Sequence, residues 1–247
     1  MSTGGYIPER VFPYGMFADI IMKKSEDSGI AVIPDIKCKS PAEGDLIPEA
    51  DAAGLAAELV KAGAPVISVV TEKNHYGGSA KLLERIALSS AVPVLRKDFI
   101  KCREQLAESI DMGASAVLLI ASMLDRDKLY RLTEDALELG LEPLVEVHSL
   151  EDIKKIRHLE LTMIGINNRN ILELETDEGT VATTERLAGH MPAGAFIVSE
   201  SSIQCPEDVR RAASAGARAV LVGTAILRAV DPAEMYRSLA DAIKRYQ

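Results

Sequence analysis

Eight short runs rich in Val, Ile and Leu recur along this chain: AVIPDIK, PVISVV, VPVLRK, SAVLLIA, EPLVEV, LTMIGI, AFIVSE and ARAVLV. Most are apolar at consecutive positions, so both faces of each strand must be covered, as in a buried parallel sheet. Longer amphipathic segments separate them: ADAAGLAAELVKAG, SAKLLERIALSS, CREQLAESIDMG, DRDKLYRLTEDALELG, SLEDIKKIRHL, EGTVATTERLAG and PEDVRRAASAG. Several close on Gly, and Pro206 opens the last of them as Pro does at a first helical turn. A parallel neighbour needs a right-handed crossover, which the intervening helix supplies.

Eight such units close on themselves. The predicted fold class is therefore α/β, a single (β/α)8 barrel, for which 247 residues is an ordinary length. A doubly wound open sheet would show fewer strands and a glycine-rich loop after the first, and VIPDIKCKSP has no GxGxxG. No linker interrupts the pattern, which assigns residues 31–247 to the barrel and residues 1–30 to a short N-terminal extension. In that extension YIPERVFPYG is rich in Pro, and MFADIIMKKSED fits a helix whose apolar side covers a barrel opening.

A net charge of −9 argues against a general binder of nucleic acid, which needs a dominant basic surface. Cys38, Cys102 and Cys205 are far apart, without CxxC or Cys/His metal spacing, so reduced thiols are expected and a zinc site is not. No basic segment with an apolar signal core opens the chain, and no apolar stretch approaches the ~20 residues of a membrane helix. The expectation is a soluble cytoplasmic protein with no membrane partner, a monomer or weak homo-oligomer.

Barrels of this kind place their active face at the C-terminal ends of the strands. The chemistry-bearing residues fall there: Asp35 and Lys37 in the first run, Lys97 closing the third, Glu146 in the fifth, Asn167 and Arg169 after the sixth, Glu200 and Ser201 at the seventh. One mouth would gather amines, carboxylates, an amide and a guanidinium. In ARAVLVGTAILR the last run passes through Gly223 and Thr224 into a short apolar segment, so helical N–H groups would lie beside Ser202, the usual phosphate grip of this fold. Periodicity and charge thus reach a barrel enzyme for a small anionic phosphorylated substrate.

Read in order, IKCKSP, TEKNHYGGS, VPVLRKDFI, SAVLLIA, PLVEVHS, IGINNRN, VSESSI and AVLVGTAILR resemble the strand ends of the indole-3-glycerol phosphate synthase family, from about Ala31 to the C-terminus. The resemblance implies that 1-(o-carboxyphenylamino)-1-deoxyribulose 5-phosphate is cyclised, loses carbon dioxide and then water, with no metal or organic cofactor. It implies Lys97 as the acid that protonates the ketose oxygen and Glu146 as acid or base in dehydration. Lys37 would steer the substrate's anionic groups and lower the basicity of Lys97, while Asn167 and Glu200 hold hydroxyl and amine groups. Ser40, Tyr76, Arg169 and Ser201 would contact substrate, and Ser202, Gly223 and Thr224 its phosphate.

Three positions depart from the family's pattern. Asp35 replaces a glutamate, which withdraws a carboxylate by about 1.5 Å, one C–C bond. Ser202 replaces a glycine beside the phosphate loop, and Tyr76 replaces a phenylalanine. Asp35 and Ser202 motivate an alternative, a divergent paralogue for a related phosphorylated amino-sugar; a catalytically silent barrel subunit is the other. The extension is shorter than the family's, so a reduced substrate lid is also expected.

Overall fold

The computed structural model describes residues 12–177 and 179–243. The eight predicted strands all form: β1 (Ala31–Ile36), β4 (Ile67–Val70), β5 (Val94–Lys97), β6 (Ala116–Ile120), β7 (Glu142–Val147), β8 (Met163–Asn167), β9 (Phe196–Glu200) and β10 (Ala217–Val222). All neighbouring pairs are parallel, and β1 pairs with both β4 and β10, closing the barrel. Helices α2 (Glu49–Lys61), α3 (Ala80–Ser89), α4 (Arg103–Asp111), α5 (Arg126–Glu138), α6 (Leu150–Ile156), α7 (Ala182–Leu187) and α8 (Pro206–Ser214) supply the crossovers. After β10 come the single turn α9 (Thr224–Leu227) and α10 (Pro232–Ala240). Ser79, Asp125, Ser149 and Asp231 cap α3, α5, α6 and α10, each accepting the N–H three residues on.

Strand residues alternate between two cores. Val32, Ile36, Val69, Val117, Val145, Ile164 and Val220 pack outward with the helices, whereas Ala31, Ile33, Leu95, Leu118, Leu144, Met163 and Val198 fill the interior. With a side-chain period of two, the next interior positions towards the C-terminal mouth are Asp35, Lys97, Glu146, Gly165 then Asn167, and Glu200. The acid in the first strand is therefore no anomaly of patterning. It stands at the top of a stack whose lower layers are apolar.

The lower mouth is plugged by α1 (Met16–Ser28), whose Phe17, Ala18 and Ile21 join the interior core. Glu142, the first residue of β7, accepts the N–H groups of Phe17 at 2.8 Å and Ala18 at 3.0 Å, so a barrel carboxylate caps the free end of α1. Burial nevertheless pushes the Glu142 carboxyl up, against the pull of these bonds. Residues 16–28 thus cover a barrel opening, as expected of MFADIIMKKSED, and it is the opening remote from the active face. Residues 1–11, including the start of the extension's Pro-rich stretch, lie outside the described residues. Glu142→Ala should destabilise the fold by about 1–3 kcal/mol, the penalty for orphaning buried donors, and urea unfolding would measure it. Turnover per folded molecule should not change.

Three local features differ from the sequence reading. A two-stranded hairpin, β2 (Lys39–Ser40) and β3 (Gly44–Asp45), follows β1 and is tied over the mouth by Arg228, which pairs with Glu43 at 2.9 Å. Helix α7 begins at Ala182, not within EGT, because Gly179 packs where a Cβ would stand 2.4 Å from the Asn168 carbonyl oxygen. Helix α10 was not predicted at all, although DPAE carries both an N-cap and a Pro at the first turn.

Candidate active site

Asp35, Lys37, Lys97, Glu146, Asn167 and Glu200 are all buried at the C-terminal mouth. Each has its local cause. In VLRKDF, Arg96 points outward, donating to Thr71 Oγ1 (3.1 Å), Gln105 O (2.7 Å), Ser109 Oγ (3.0 Å) and Asp98 Oδ2 (3.0 Å), and this anchorage holds Lys97 to the inside. In GINN, Asn168 is the outward residue: it donates to Ser199 Oγ and the Ser201 carbonyl and accepts from Thr184, which leaves Asn167 facing in. Gly165 is an interior position with no side chain, and a Cβ there would sit 2.0 Å from Glu200 Oε1. The glycine makes the space in which the Glu200 carboxyl lies. Asp35 accepts a 2.7 Å bond from Ser68 Oγ across the β1–β4 pair.

Electrostatics divide these acids. Burial pushes Glu200 well above the usual carboxylate range, reinforced by the neighbouring Glu146, and burial likewise raises Glu146. Neither carboxyl oxygen of Glu200 has a protein hydrogen-bond partner. A third carboxyl, Glu175, goes the other way: although burial opposes it, Lys97, Lys37, Asn167 and Ser201 draw it down to about 2. Burial alone would lower the Lys97 ammonium, but Glu175, Asp35, Glu146 and Glu200 outweigh it and hold that ammonium well above its ordinary value. This overturns the expectation that a second amine would make Lys97 less basic. Lys37 is one cation nearby, and the carboxyl groups around Lys97 outnumber it.

Two spaces open from this cup. One is a cavity of about 260 Å³ lined by Lys37, Arg169, Ser201, Ser202, Gly223 and Thr224, among others. At Gly223 a Cβ would come within 3.1 Å of Lys37 Cε, so the glycine keeps the floor open. Thr224 begins a helical turn at the wall, where the first N–H groups lack partners within the helix. Ser201 and Ser202 both hold left-handed backbone (φ 62° and 59°), and the Ser202 hydroxyl is buried without a partner. Ser202, where the resemblance leads one to expect glycine, holds the conformation that glycine favours. The other space is a narrow apolar recess lined by Val70, Tyr76, Phe99, Leu118, Ile120 and Ile171, with Lys37 and Lys97 at its edge. Tyr76 meets Phe99 edge to face (6.5 Å between centroids), and Lys37 Nζ lies 5.8 Å from the Tyr76 ring centroid.

Four of the predicted site residues line neither space: Glu146, Asn167 and Glu200, buried within the cup, and Ser40, buried in the hairpin and paired with Gly44. The structure adds three residues. Glu175 comes from the loop after β8, and His148 Nε2 lies 3.3 Å from Glu146 Oε1. Glu72 accepts the N–H groups of Asn74, His75 and Tyr76 and so shapes the loop that presents Tyr76. Parity would have found His148, two residues beyond Glu146; nothing periodic marks Glu175. Among the described residues no three His, Cys, Asp or Glu side chains are grouped to hold a metal ion, and no helix is long and apolar enough to cross a membrane.

A family model described as indole-3-glycerol phosphate synthase matches residues 9–239. The indole-3-glycerol phosphate synthase of Pyrococcus furiosus is 42% identical over 211 residues, covering 85% of this chain and 92% of its own. Indole-3-glycerol phosphate synthase 1 of Streptomyces coelicolor is 43% identical over 204 residues, covering 83% and 75%. Among solved structures, tryptophan synthase subunit alpha from Legionella pneumophila superposes with a TM-score of 0.65 at 16% identity, covering 92% of this chain and 97% of that one. Orotidine 5'-phosphate decarboxylase from Pyrococcus horikoshii gives 0.65 at 15% identity, covering 87% and 100%. At such identities these two share the barrel and nothing finer.

Proposed function

The chain belongs to the indole-3-glycerol phosphate synthase family, and we infer that its buried cup carries out that family's carboxy-lyase reaction in tryptophan biosynthesis. The observation that carries this reading is Lys97, which borders both an anion-suited cavity and a narrow apolar recess walled by Tyr76 and Phe99, with Glu146 and Glu200 buried beside it. A phosphorylated sugar chain bearing an aromatic amine has the same order of parts.

In this reading the substrate phosphate occupies the Ser202, Gly223 and Thr224 end, with Lys37 and Arg169 supplying charge. The aromatic ring lies against Tyr76 and Phe99. A ring carbon then attacks the ketose carbonyl carbon, forming the new C–C bond while the carbonyl oxygen takes a proton from Lys97. Carbon dioxide leaves with its bonding pair returned to the ring. The new hydroxyl departs as water on receiving a proton from a neutral carboxyl of the cup, and the carbon next to nitrogen gives up a proton to a carboxylate. Glu146 suits the acid step because burial keeps its carboxyl protonated more readily than usual. Asn167 and Glu200 orient the hydroxyl and amine groups, and Ser201 supports them. Closing a ring within one molecule lets orientation remove much of the barrier. Asp35, although shorter than glutamate, stays in the cup through Ser68.

The test is a fluorescence assay for indole formation from 1-(o-carboxyphenylamino)-1-deoxyribulose 5-phosphate. Turnover supports the reading; binding without turnover would favour the paralogue, and no binding the silent subunit. Tyr76 offers a separate check, since its hydroxyl is buried with no protein partner. Tyr76→Phe is expected to raise thermal stability of the ligand-free protein, by ~1 kcal/mol at most, while raising KM up to about tenfold as a bond to substrate is lost. A cytoplasmic location goes with this reading, supported by the exposed free thiols of Cys102 and Cys205.

A further inference from the structure

Glu175 takes no part in the steps above, yet no other acid beside Lys97 is so heavily bonded. Its Oε1 accepts from Asn167 Nδ2 at 2.9 Å and from Ser201 Oγ at 2.9 Å, and its carbonyl oxygen accepts from Arg169 Nη1 at 3.1 Å. Only 4% of the residue is exposed. It is brought there by Leu174 and Glu175 in left-handed backbone, φ 53° and 58°. Residues other than glycine adopt that conformation at an energetic cost, and it persists where the surroundings over-determine it. The loop after β8 is bent so as to deliver this carboxylate inward.

Asn167 links it to the reacting groups. The Asn167 Oδ1 accepts the Arg169 N–H at 3.0 Å, and Nδ2 donates one hydrogen to Glu175 Oε1 and the other to Glu146 Oε2 at 3.2 Å. The reversed amide would turn a carbonyl oxygen towards two carboxyl groups and an N–H towards an N–H, so one orientation alone satisfies every partner. Because Oε2 of Glu146 receives that N–H, a proton on Glu146 resides on Oε1, the oxygen 3.3 Å from His148 Nε2.

We propose that Glu175 is a positioning residue of the cup: it locks Asn167, thereby dictates which oxygen of Glu146 carries the transferable proton, and stands as fixed counter-ion to the Lys97 ammonium. The proposal rests on the inferred ring-closing reaction for its kinetic consequences, though not for the charge pairing itself. The groups that face Lys97 are Asp35 from β1, Lys37 just after it, Tyr76 after β4, Glu146 from β7, Glu200 from β9 and Glu175. Of the three glutamates, Glu146 and Glu200 are raised and Glu175 is drawn down, so Glu175 supplies the standing negative charge.

Two variants and one titration test it. Glu175→Gln keeps the shape and removes the charge; kcat should fall about 10- to 100-fold with KM changed less than threefold. The basic limb of kcat should move to lower pH, since an ammonium without its counter-ion gives up its proton more easily. Glu175→Asp keeps the charge but shortens the reach to Asn167: kcat should fall while the basic limb stays in place. NMR titration of the Lys97 side chain in ligand-free protein reads the same pairing without substrate, and its midpoint should drop by a unit or more in Glu175→Gln. An unchanged midpoint in folded Glu175→Gln, or an effect confined to KM, overturns the proposal; should Glu175→Gln not fold, wild-type kcat in Glu175→Asp overturns it. Absence of wild-type turnover, by contrast, refutes the reaction and leaves the titration to decide the pairing.

Discussion

Lys97→Ala is expected to reduce turnover by at least 10²- to 10⁴-fold, the range a single positioned acid supplies, while the barrel remains folded. The folded state should survive because Lys97 takes no part in the apolar cores and its strand is held from outside by Arg96, which bonds Thr71, Asp98 and the backbone of α4. Survival will not be free of consequence: without the Lys97 charge the buried Glu175 carboxylate is left with Lys37 as its cation, and a less compensated buried charge is destabilising. Far-UV circular dichroism and urea unfolding would separate the two losses. Lys97→Arg divides the role further, since a guanidinium keeps the charge but does not release its proton near neutral pH. If substrate binds to the arginine variant and is not turned over, proton donation is the function of Lys97; wild-type rates in either variant would remove it from the mechanism. The raised basicity of Lys97 also sets a sign for pH: the ammonium persists past the range where an ordinary lysine titrates, so kcat should stay level through mildly alkaline pH and fall only beyond it. A donor held so firmly acts first by stabilising negative charge on the ketose oxygen and transfers its proton as that charge develops.

How much of this was legible in the sequence varies with the kind of residue. Lys97, Glu146, Asn167 and Glu200 were legible because they stand on strands, where a period of two continues an interior row from apolar layers into the mouth. Gly223 and Ser202 were legible from their place at a strand end beside a helical turn. Glu175 was not, because its position depends on two left-handed residues in a loop, and LELET carries no turn residue that announces them. The basicity of Lys97 had the wrong sign for a related reason: a pair of lysines is visible in the sequence, but the balance against four carboxyl groups exists only once the barrel has closed. The hairpin after β1 escaped notice because strands of two residues have no periodicity to detect. Helix α1 was anticipated, yet which mouth it closes follows from Glu142, whose partners lie more than 120 residues away.

Gly165→Ala is expected to lower turnover by about 10²-fold or more through a residue that touches no substrate. The added Cβ would stand 2.0 Å from Glu200 Oε1 and 3.5 Å from the Glu146 Cα, so the Glu200 carboxyl must move. Its surroundings offer little room: Glu200 is fully buried, and its strand is in register with Asn167 on one side and Leu221 on the other. Displacements of about 1 Å at a reacting centre suffice for a loss of that size. A general loss of packing would lower turnover too, and a double-mutant cycle distinguishes the causes. With Glu200→Ala already in place the collision has no target, so Gly165→Ala should add little further destabilisation and little further loss of rate. If the two changes add fully in both urea unfolding and kcat, the interior glycine is not there to accommodate Glu200, and the link between the GIN sequence of β8 and the carboxyl of β9 fails.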